Sequence, residues 1–362
     1  MNLFYEATEN ATAGKLSKKI EGWPPTTFSD FTDLPRPAFY FPNKPAEMNA
    51  GNFDFHFFAL LPAQSEGCVM FADQSVAVTV YDDAAKSPFA MRPADFLKPA
   101  DSITLSTTNF PKQRGGSTGG KHGVYVMSTF DGSFELYNYR RTSNLSDFDN
   151  QWKWQRDMPH VPTEYVPDSR QISRRARGVA ISPPFAAAAV DSSTICASTK
   201  EGTYAIWPAP CSKGTWTQAA RWALPFHGAA EYVPKFRLWF GLEDPKICSQ
   251  QHRLCAFDLA SCLKAEEAPA PLHAWEYLDG MPDGWHLSKR YLVNLGMGKF
   301  CIATHCFRVP SDDGGDDVKK GNDALTVLTG VEVVCAGGKG LQMIKHKSRH
   351  YSVENRGIHC VL

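Results

Sequence analysis

The chain has 362 residues, enough for a large core, and its 38 basic and 38 acidic side chains give a net charge of zero at pH 7. A neutral chain has no long-range field to draw it onto nucleic acid or an anionic membrane, so both partner classes are disfavoured. The N-terminus lacks the apolar core of a secretory signal, and the most apolar stretch, 179–190, is too short to cross a bilayer. We therefore expect a cytoplasmic or nuclear protein that is neither secreted nor membrane-bound.

Short runs of β-branched and aromatic residues, separated by Gly, Pro, Asn and Asp, follow one another along the chain and predict strands. Residues 6–20 and 259–267 are the exceptions, and each is predicted as a short helix. Strands that end in an aromatic residue and a turn recur, and a second aromatic follows each of them. These strand ends lie at 79–82, 135–138, 205–208 and 256–258.

The recurring unit is typical of a β-propeller. A four-stranded antiparallel sheet buries both faces only when neighbouring sheets stack on it, and one bulky aromatic per unit suits that interface. We predict one all-β domain over residues 1–362, a kelch-like β-propeller whose sixth blade forms from residues 1–52 and 346–362 and closes the ring. A seven-bladed or incompletely closed ring remains an alternative. The units begin near Phe53, Ser102, Arg177, Ala229 and Tyr291.

Several stretches carry a family resemblance, among them LFY at 3–5 and WALPFHGAAEYVPKFRLWFG at 222–241. Together they resemble a large plant family, expanded in grasses, whose members have a domain of unknown function and a kelch-like propeller pattern. The resemblance implies the fold and attaches no activity or catalytic residue to it. Members of that family carry a further strand-like stretch before LFY, so we expect an unpaired sheet edge in this chain. The other stretches lie at 53–60, 292–303, 329–333 and 343–351.

The ten cysteines are interpreted as buried, reduced thiols, because several lie inside apolar strand-like runs. The examples are Cys68, Cys196, Cys301 and Cys335. Two groups contain metal-ligand residue types but lack the closely spaced cysteine pairs that zinc prefers. They are Cys248, His252, Cys255 and Cys262, and Cys301, His305 and Cys306. We therefore predict no metal site and no cofactor.

The glycine-rich segment 115–122 has phosphate-loop spacing as far as Lys121. His122 then replaces the hydroxyl residue that would bind Mg²⁺, and a strand rather than a helix follows, so we predict a loop. No hydrolase, zinc-protease or calcium-loop motif occurs in the sequence. Two alternatives stay open: an enzyme with an axial metal or a His-based site at His227, and a carbohydrate-binding propeller that stacks sugars on Trp23 or Trp285.

The leading prediction is a non-catalytic module that binds an unidentified protein or peptide. Arg174, Arg175 and Arg177 form a basic cluster just before a strand that we predict to be innermost, near the rim of the central channel. Guanidinium groups suit acidic partners because their planar fork matches a carboxylate. We predict these three arginines and His227 as partner-contacting residues.

Overall fold

The protein is described by a computed structural model, and the statements below refer to the residues that the model describes. Arg174, Arg175, Arg177, Trp23, the predicted helix at 6–20 and most of 1–52 lie outside them. The described stretches are 3–4, 55–60, 68–73, 78–82, 87–90, 102–107, 121–129, 132–140, 152–155, 158–162, 165–167, 178–180, 184–190, 194–207, 214–244, 252–265, 267–278, 284–308, 324–337 and 340–352.

Strands dominate these stretches, which confirms the prediction of an all-β protein. The short helix predicted at 259–267 is present as α1, Leu259–Ala265. No helix in the described part is long and apolar enough to span a membrane. The chain divides into two compact units, and the larger consists of residues 42–232, 258–270 and 362. The smaller unit consists of residues 1–41, 233–257 and 271–361.

Short antiparallel strands build the larger unit. They are β1 Phe55–Leu60, β2 Cys68–Asp73, β3 Val78–Asp82, β4 Ser87–Ala90, β5 Ile103–Thr107, β6 Lys121–Met127, β7 Phe134–Arg140, β8 Trp152–Gln155, β9 Tyr165–Pro167, β10 Gly178–Ala180, β11 Ala186–Ala189, β12 Ile195–Thr199, β13 Gly202–Ile206, β14 Thr217–Ala220 and β15 Phe226–Val233, of which all but Val233 belongs here. Strands β1–β4, β5–β8 and β11–β14 each form a four-stranded meander, in which every strand pairs with the next along the chain. Strands β9 and β10 pair only with each other in the described part.

The first strands of successive meanders lie side by side in this unit. β1 adjoins β5, β5 adjoins β11, and β11 pairs in parallel with β15, from Ala186 opposite Gly228 to Ala188 opposite Ala230. Alanine and glycine at these positions leave little side-chain bulk on either face of this strand pair. The amide of Gly228 also donates a hydrogen bond to the Phe185 carbonyl at 2.9 Å. The sheets therefore succeed one another along a common line of first strands.

Trp216 fills the interface between two neighbouring meanders of the larger unit. Its indole N–H donates to the Pro159 carbonyl at 2.9 Å, and its ring meets Phe134 edge to face at a centroid distance of 5.3 Å. The surrounding core joins side chains of β5–β7 to those of β11–β13. Tyr137 in β7 is also buried, whereas Trp207, just beyond β13, is 64% exposed. The repeat contains both Trp207 and Trp216, and the structure shows that Trp216 packs between the sheets.

The smaller unit contains three short strands followed by four longer ones in its described part. They are β16 Leu238–Glu243, β17 Arg253–Phe257, β18 His273–Glu276, β19 Trp285–Asn294, β20 Lys299–Arg308, β21 Ala324–Cys335 and β22 Leu341–Ser352. Strands β16–β18 form one antiparallel meander and β19–β22 another. One face of β20 and β21 packs on β16 and β17 through a core centred on Phe240 and Phe300, whose rings lie 5.1 Å apart.

The opposite face of the β19–β22 sheet is covered at its centre by Leu3 and Phe4. Leu3 packs on Val293 and Cys301, and its carbonyl accepts a hydrogen bond from the amide of Lys347 in β22 at 3.1 Å. The pairing of β21 with β22 shifts register around Gly330, where an added Cβ would come within 2.8 Å of the Leu3 carbonyl oxygen. Glycine at the bulge therefore allows this close approach.

The predicted unit starts correspond to strands of the structure. Ser102 immediately precedes β5, and Phe53 lies two residues before β1, while Ala229 and Tyr291 lie inside β15 and β19. The hydrogen bond between Leu3 and Lys347 joins the two terminal segments that were expected to close a ring. The single domain, the blade number and the closing blade stay predictions.

Candidate functional site

The residues predicted to contact a partner are only partly described. His227 lies in β15 with its side chain exposed. The strand directly after Arg177 is β10, which pairs with β9 instead of beginning a four-stranded meander; the next meander begins at β11. The contact role of Arg174, Arg175, Arg177 and His227 stays a prediction.

Cysteine burial largely follows the expectation. Cys196, Cys255, Cys301 and Cys306 are buried free thiols, whereas Cys335, also expected to be buried, is exposed at the end of β21. Burial raises the pKa of Cys301 to about 11 and that of Cys306 to about 12, so both remain thiols at neutral pH. A neutral thiol is a poor metal ligand.

Strand geometry separates the residues of the second cysteine and histidine group. Cys301 and His305 face the same side of β20 but lie about 13 Å apart at about 3.3 Å per residue, and Cys306 faces the other side. His305 is instead hydrogen-bonded through Nδ1 to the Thr326 hydroxyl at 3.0 Å. These three side chains therefore do not converge on one ion. No group of three metal-ligand residues occurs in the described part of the chain.

Two other predicted features can be compared with the structure. β6 begins at Lys121, so the glycine-rich segment leads into a strand as expected and not into a phosphate-binding helix. Trp285 is half-buried at the start of β19, which makes it a poor platform for a sugar. Trp207 is the more exposed tryptophan of the two.

Two tight turns meet at one end of the smaller unit. The turn before β16 contains Pro234, Lys235, Phe236 and Arg237, and the turn between β19 and β20 contains residues 295–298. The Phe236 ring lies against the second turn, where a Cβ added to Gly298 would meet it at 2.8 Å. We call Lys235, Phe236, Arg237, Leu295 and Met297 the hairpin-end surface.

Backbone hydrogen bonds hold both turns of this surface. The amides of Phe236 and Arg237 donate to the Val233 carbonyl at 3.1 and 3.0 Å. In the second turn, the Leu295 amide donates to the Lys299 carbonyl and the Lys299 amide to the Gly296 carbonyl, each at 2.9 Å. The surface is therefore held by its backbone rather than by its exposed side chains.

The hairpin-end surface combines strain, apolar exposure and positive charge. Arg237 and Met297 have φ values of 57° and 55°, and no other non-glycine residue in the described stretches has a positive φ. Met297 is 74% exposed and Leu295 is 51% exposed. The two turns and the adjoining Lys299 contain three cationic residues and no acidic one. Strained residues and exposed apolar side chains both concentrate at binding sites.

Sequence reasoning missed this surface although part of its signal was present. The segment Leu295-Gly-Met-Gly places a large apolar residue between two glycines, which is unusual for a turn. The stretches 222–241 and 292–303 were singled out for their family resemblance, and the structure brings their turns together. Only the fold could supply the proximity of residues about 60 positions apart.

A bidentate ion pair lies at the opposite end of the same sheets. The Arg253 guanidinium donates from Nε and Nη2 to the two carboxylate oxygens of Glu243, at 2.5 and 2.6 Å. The side chain of Glu243 is 7% exposed and that of Arg253 is 24% exposed. The pair ties the end of β16 to the start of β17.

Glu243→Gln is expected to lower the free energy of unfolding by about 2–3 kcal/mol. The substitution leaves the Arg253 charge without its partner, although partial exposure of Arg253 reduces the loss below that of a fully buried pair. Urea unfolding monitored by circular dichroism measures the difference. Glu276→Gln is the control, because Glu276 lies opposite Arg253 in β18 but is exposed, and we expect a change within about 0.5 kcal/mol. Equal effects of the two substitutions would contradict the assignment.

Several polar side chains lie next to this ion pair. Arg290 in β19 donates from Nη2 to the Glu243 carbonyl at 2.7 Å. Tyr277 and His252 continue the pairing of β17 with β18, since the Tyr277 amide donates to the His252 carbonyl at 3.1 Å, and their rings lie 6.4 Å apart. Burial raises the pKa of Tyr277, so its phenol stays protonated.

In each unit, antiparallel meanders pack on one another, and two turns of the smaller unit form the exposed hairpin-end surface. The chain belongs to the family described as "Protein of unknown function (DUF1668)", whose model matches residues 3–351. This match spans every stretch that carried the resemblance, from 3–5 to 343–351.

No curated protein matches this chain. Among solved structures, it is similar to the WD40 domain of SCAP from fission yeast, with 10% sequence identity and a TM-score of 0.31. The similarity covers 83% of this chain and 64% of that chain.

Proposed function

We propose that this protein is a non-catalytic protein-interaction module with a β-propeller scaffold, and that its hairpin-end surface binds an extended partner segment bearing acidic and large apolar side chains. The observation that carries the proposal is the coincidence of exposed Met297 and Leu295 with strained backbone and one-sided positive charge. The kelch-like blade type, closure of the ring and location in the cytoplasm or nucleus are parts of the same proposal.

The arrangement of first strands supports the propeller scaffold. In a propeller, antiparallel four-stranded sheets succeed one another radially, with their first strands around a common axis. The succession β1, β5, β11 and β15 in the larger unit fits that arrangement. Such scaffolds leave their turns accessible, and partner-binding residues commonly lie on turns held by a rigid framework.

The chemistry of the surface favours an acidic and apolar partner. Methionine adapts its shape to different apolar side chains, so Met297 and Leu295 form the apolar part of the contact. Lys235 and Arg237 flank them, with the Lys235 ammonium 5.2 Å from the Phe236 ring centroid. Positive charge at the rim of an apolar contact selects partners with carboxylates and raises the association rate.

Selection of a displayed library of short random peptides on the full chain tests the proposal. We expect enrichment of sequences that combine acidic and large apolar residues, with weaker binding at higher salt. The double variant Leu295→Ser/Met297→Ser is expected to weaken binding of a selected peptide by about tenfold or more, because central apolar side chains carry most of the affinity at interfaces.

The matched control is Trp207→Ser, which removes another exposed apolar side chain and should leave peptide affinity unchanged. Fluorescence anisotropy with the selected peptide measures all three proteins. A selection without enrichment, or peptides that bind the double variant as tightly as the unaltered chain, would contradict the proposal.

A further inference from the structure

Three buried polar atoms without a hydrogen-bond partner lie together at the end of the smaller unit opposite the hairpin-end surface. They are the Tyr277 hydroxyl, the Nδ1 atom of His252 and the Nη1 atom of Arg290. Tyr277 is completely buried and His252 is 9% exposed. The Tyr277 hydroxyl lies near Arg290 and Thr304 without a well-aligned hydrogen bond to either. Buried polar atoms are nearly always hydrogen-bonded in folded proteins, so three such atoms in one place indicate a missing partner.

The three side chains come from different elements of the fold and converge. His252 precedes β17 and Tyr277 follows β18, and the hydrogen bond between their backbones keeps their rings 6.4 Å apart. Arg290 reaches the same region from β19 and is fixed there by its Nη2 bond to the Glu243 carbonyl. Its second terminal nitrogen, Nη1, is thereby left available.

The positive charge of Arg290 in this cluster is not balanced by a carboxylate. Both carboxylate oxygens of Glu243 are occupied by Arg253, so that carboxylate does not compensate Arg290. Arg290 forms no ion pair with a carboxylate among the described residues. Arg290 is half-buried and its Nη1 atom is fully buried, and a partly desolvated guanidinium without a counter-charge favours the uptake of an anion.

The geometry points to a binding site for a small oxyanion, either phosphate or a carboxylate, held by Arg290 Nη1, the Tyr277 hydroxyl and His252 Nδ1. Arginine and tyrosine donate hydrogen bonds to an oxygen of such a ligand, and neutral histidine donates when its proton is on Nδ1. The site is separate from the hairpin-end surface and does not depend on the proposed function.

The protonation states agree with this assignment. Burial, and then the charge of Arg290, lower the pKa of His252, so its imidazole is neutral at neutral pH. Burial raises the pKa of Tyr277, which keeps its hydroxyl proton available for donation. The site then carries one positive charge, from Arg290, and two neutral donors.

Calorimetric titration of the full chain with inorganic phosphate and with acetate, each against sodium chloride of equal ionic strength, tests the site. We expect saturable binding of at least one of the two oxyanions and none of chloride. Tyr277→Phe is expected to raise the dissociation constant about tenfold or more, because it removes a hydrogen bond to a charged ligand. Arg290→Lys, which keeps the charge but lacks Nη1, is expected to have an effect in the same direction.

The Tyr277→Phe variant should still fold, because it keeps the buried ring and removes a hydroxyl that lies near Arg290 and Thr304 but forms no well-aligned hydrogen bond with either. Tyr351→Phe, at another buried tyrosine of the same unit, is the control and should leave oxyanion affinity unchanged. Absence of binding by both phosphate and acetate would overturn the proposal and leave water as the partner of these atoms. Equal affinity of the unaltered chain and Tyr277→Phe would overturn it as well.

Discussion

Trp216→Ala is expected to lower the free energy of unfolding by about 3–5 kcal/mol, the range for truncating a large aromatic in a core. The side chain is 7% exposed, packs on Phe134 and donates a hydrogen bond to Pro159, so the substitution leaves a cavity and an unpaired carbonyl. Urea unfolding monitored by circular dichroism measures the loss. Trp216→Phe keeps most of the packing and should lose about 1–2 kcal/mol.

Trp207→Ala is the matched control for this prediction. Trp207 lies nine positions earlier, beyond the end of β13, and is 64% exposed. We expect a change within about 0.5 kcal/mol, as for most surface substitutions. A large loss for Trp207→Ala together with a small one for Trp216→Ala would show that the sheets of the larger unit do not pack as described.

Gly298→Ala is expected to lower the free energy of unfolding by about 2–4 kcal/mol. The φ of Gly298 is 87°, a region that L-residues occupy only at a cost of about 1 kcal/mol or more. The added methyl group would also lie 2.7 Å from the Val333 carbonyl oxygen and 2.8 Å from the Phe236 ring. Relieving these contacts requires the turn to move away from β21.

Gly296→Ala separates the cost of the positive φ from the cost of the steric contacts. Gly296 lies in the same turn with a φ of 86°, but no atom lies within 4 Å of an added Cβ. It should lose only the backbone contribution of about 1 kcal/mol. Thermal unfolding of both variants, measured by calorimetry, gives the comparison. Equal losses at the two positions would mean that Gly298 does not lie against Phe236 and Val333.

The local sequence pattern was sufficient to predict the strands and the positions at which most repeats begin. Alternating apolar residues and turn residues act over a few positions, so β5, β6 and α1 could be predicted from neighbouring residues alone. The choice between Trp207 and Trp216 could not, because burial of a tryptophan depends on which sheet lies opposite.

The candidate sites depended even more on contacts between distant residues. In the sequence, Leu295 and Met297 belong to an apolar stretch and give no sign of exposure. In the structure, the turn between β19 and β20 places both side chains outside the core. His252 was noted only as a possible metal ligand, whereas in the structure it lies beside Tyr277 and close enough to Arg290 to be affected by its charge. Those three residues come from separate elements, so no spacing in the sequence connects them.

Amide hydrogen exchange of the full chain, alone and with a peptide selected on it, tests the proposed binding surface most directly. We predict slower exchange in the turns at 234–237 and 295–298, because a bound segment would cover the amides next to Lys235 and Met297. Unchanged exchange in both turns, with protection elsewhere in the chain, would contradict the assignment of partner binding to the hairpin-end surface.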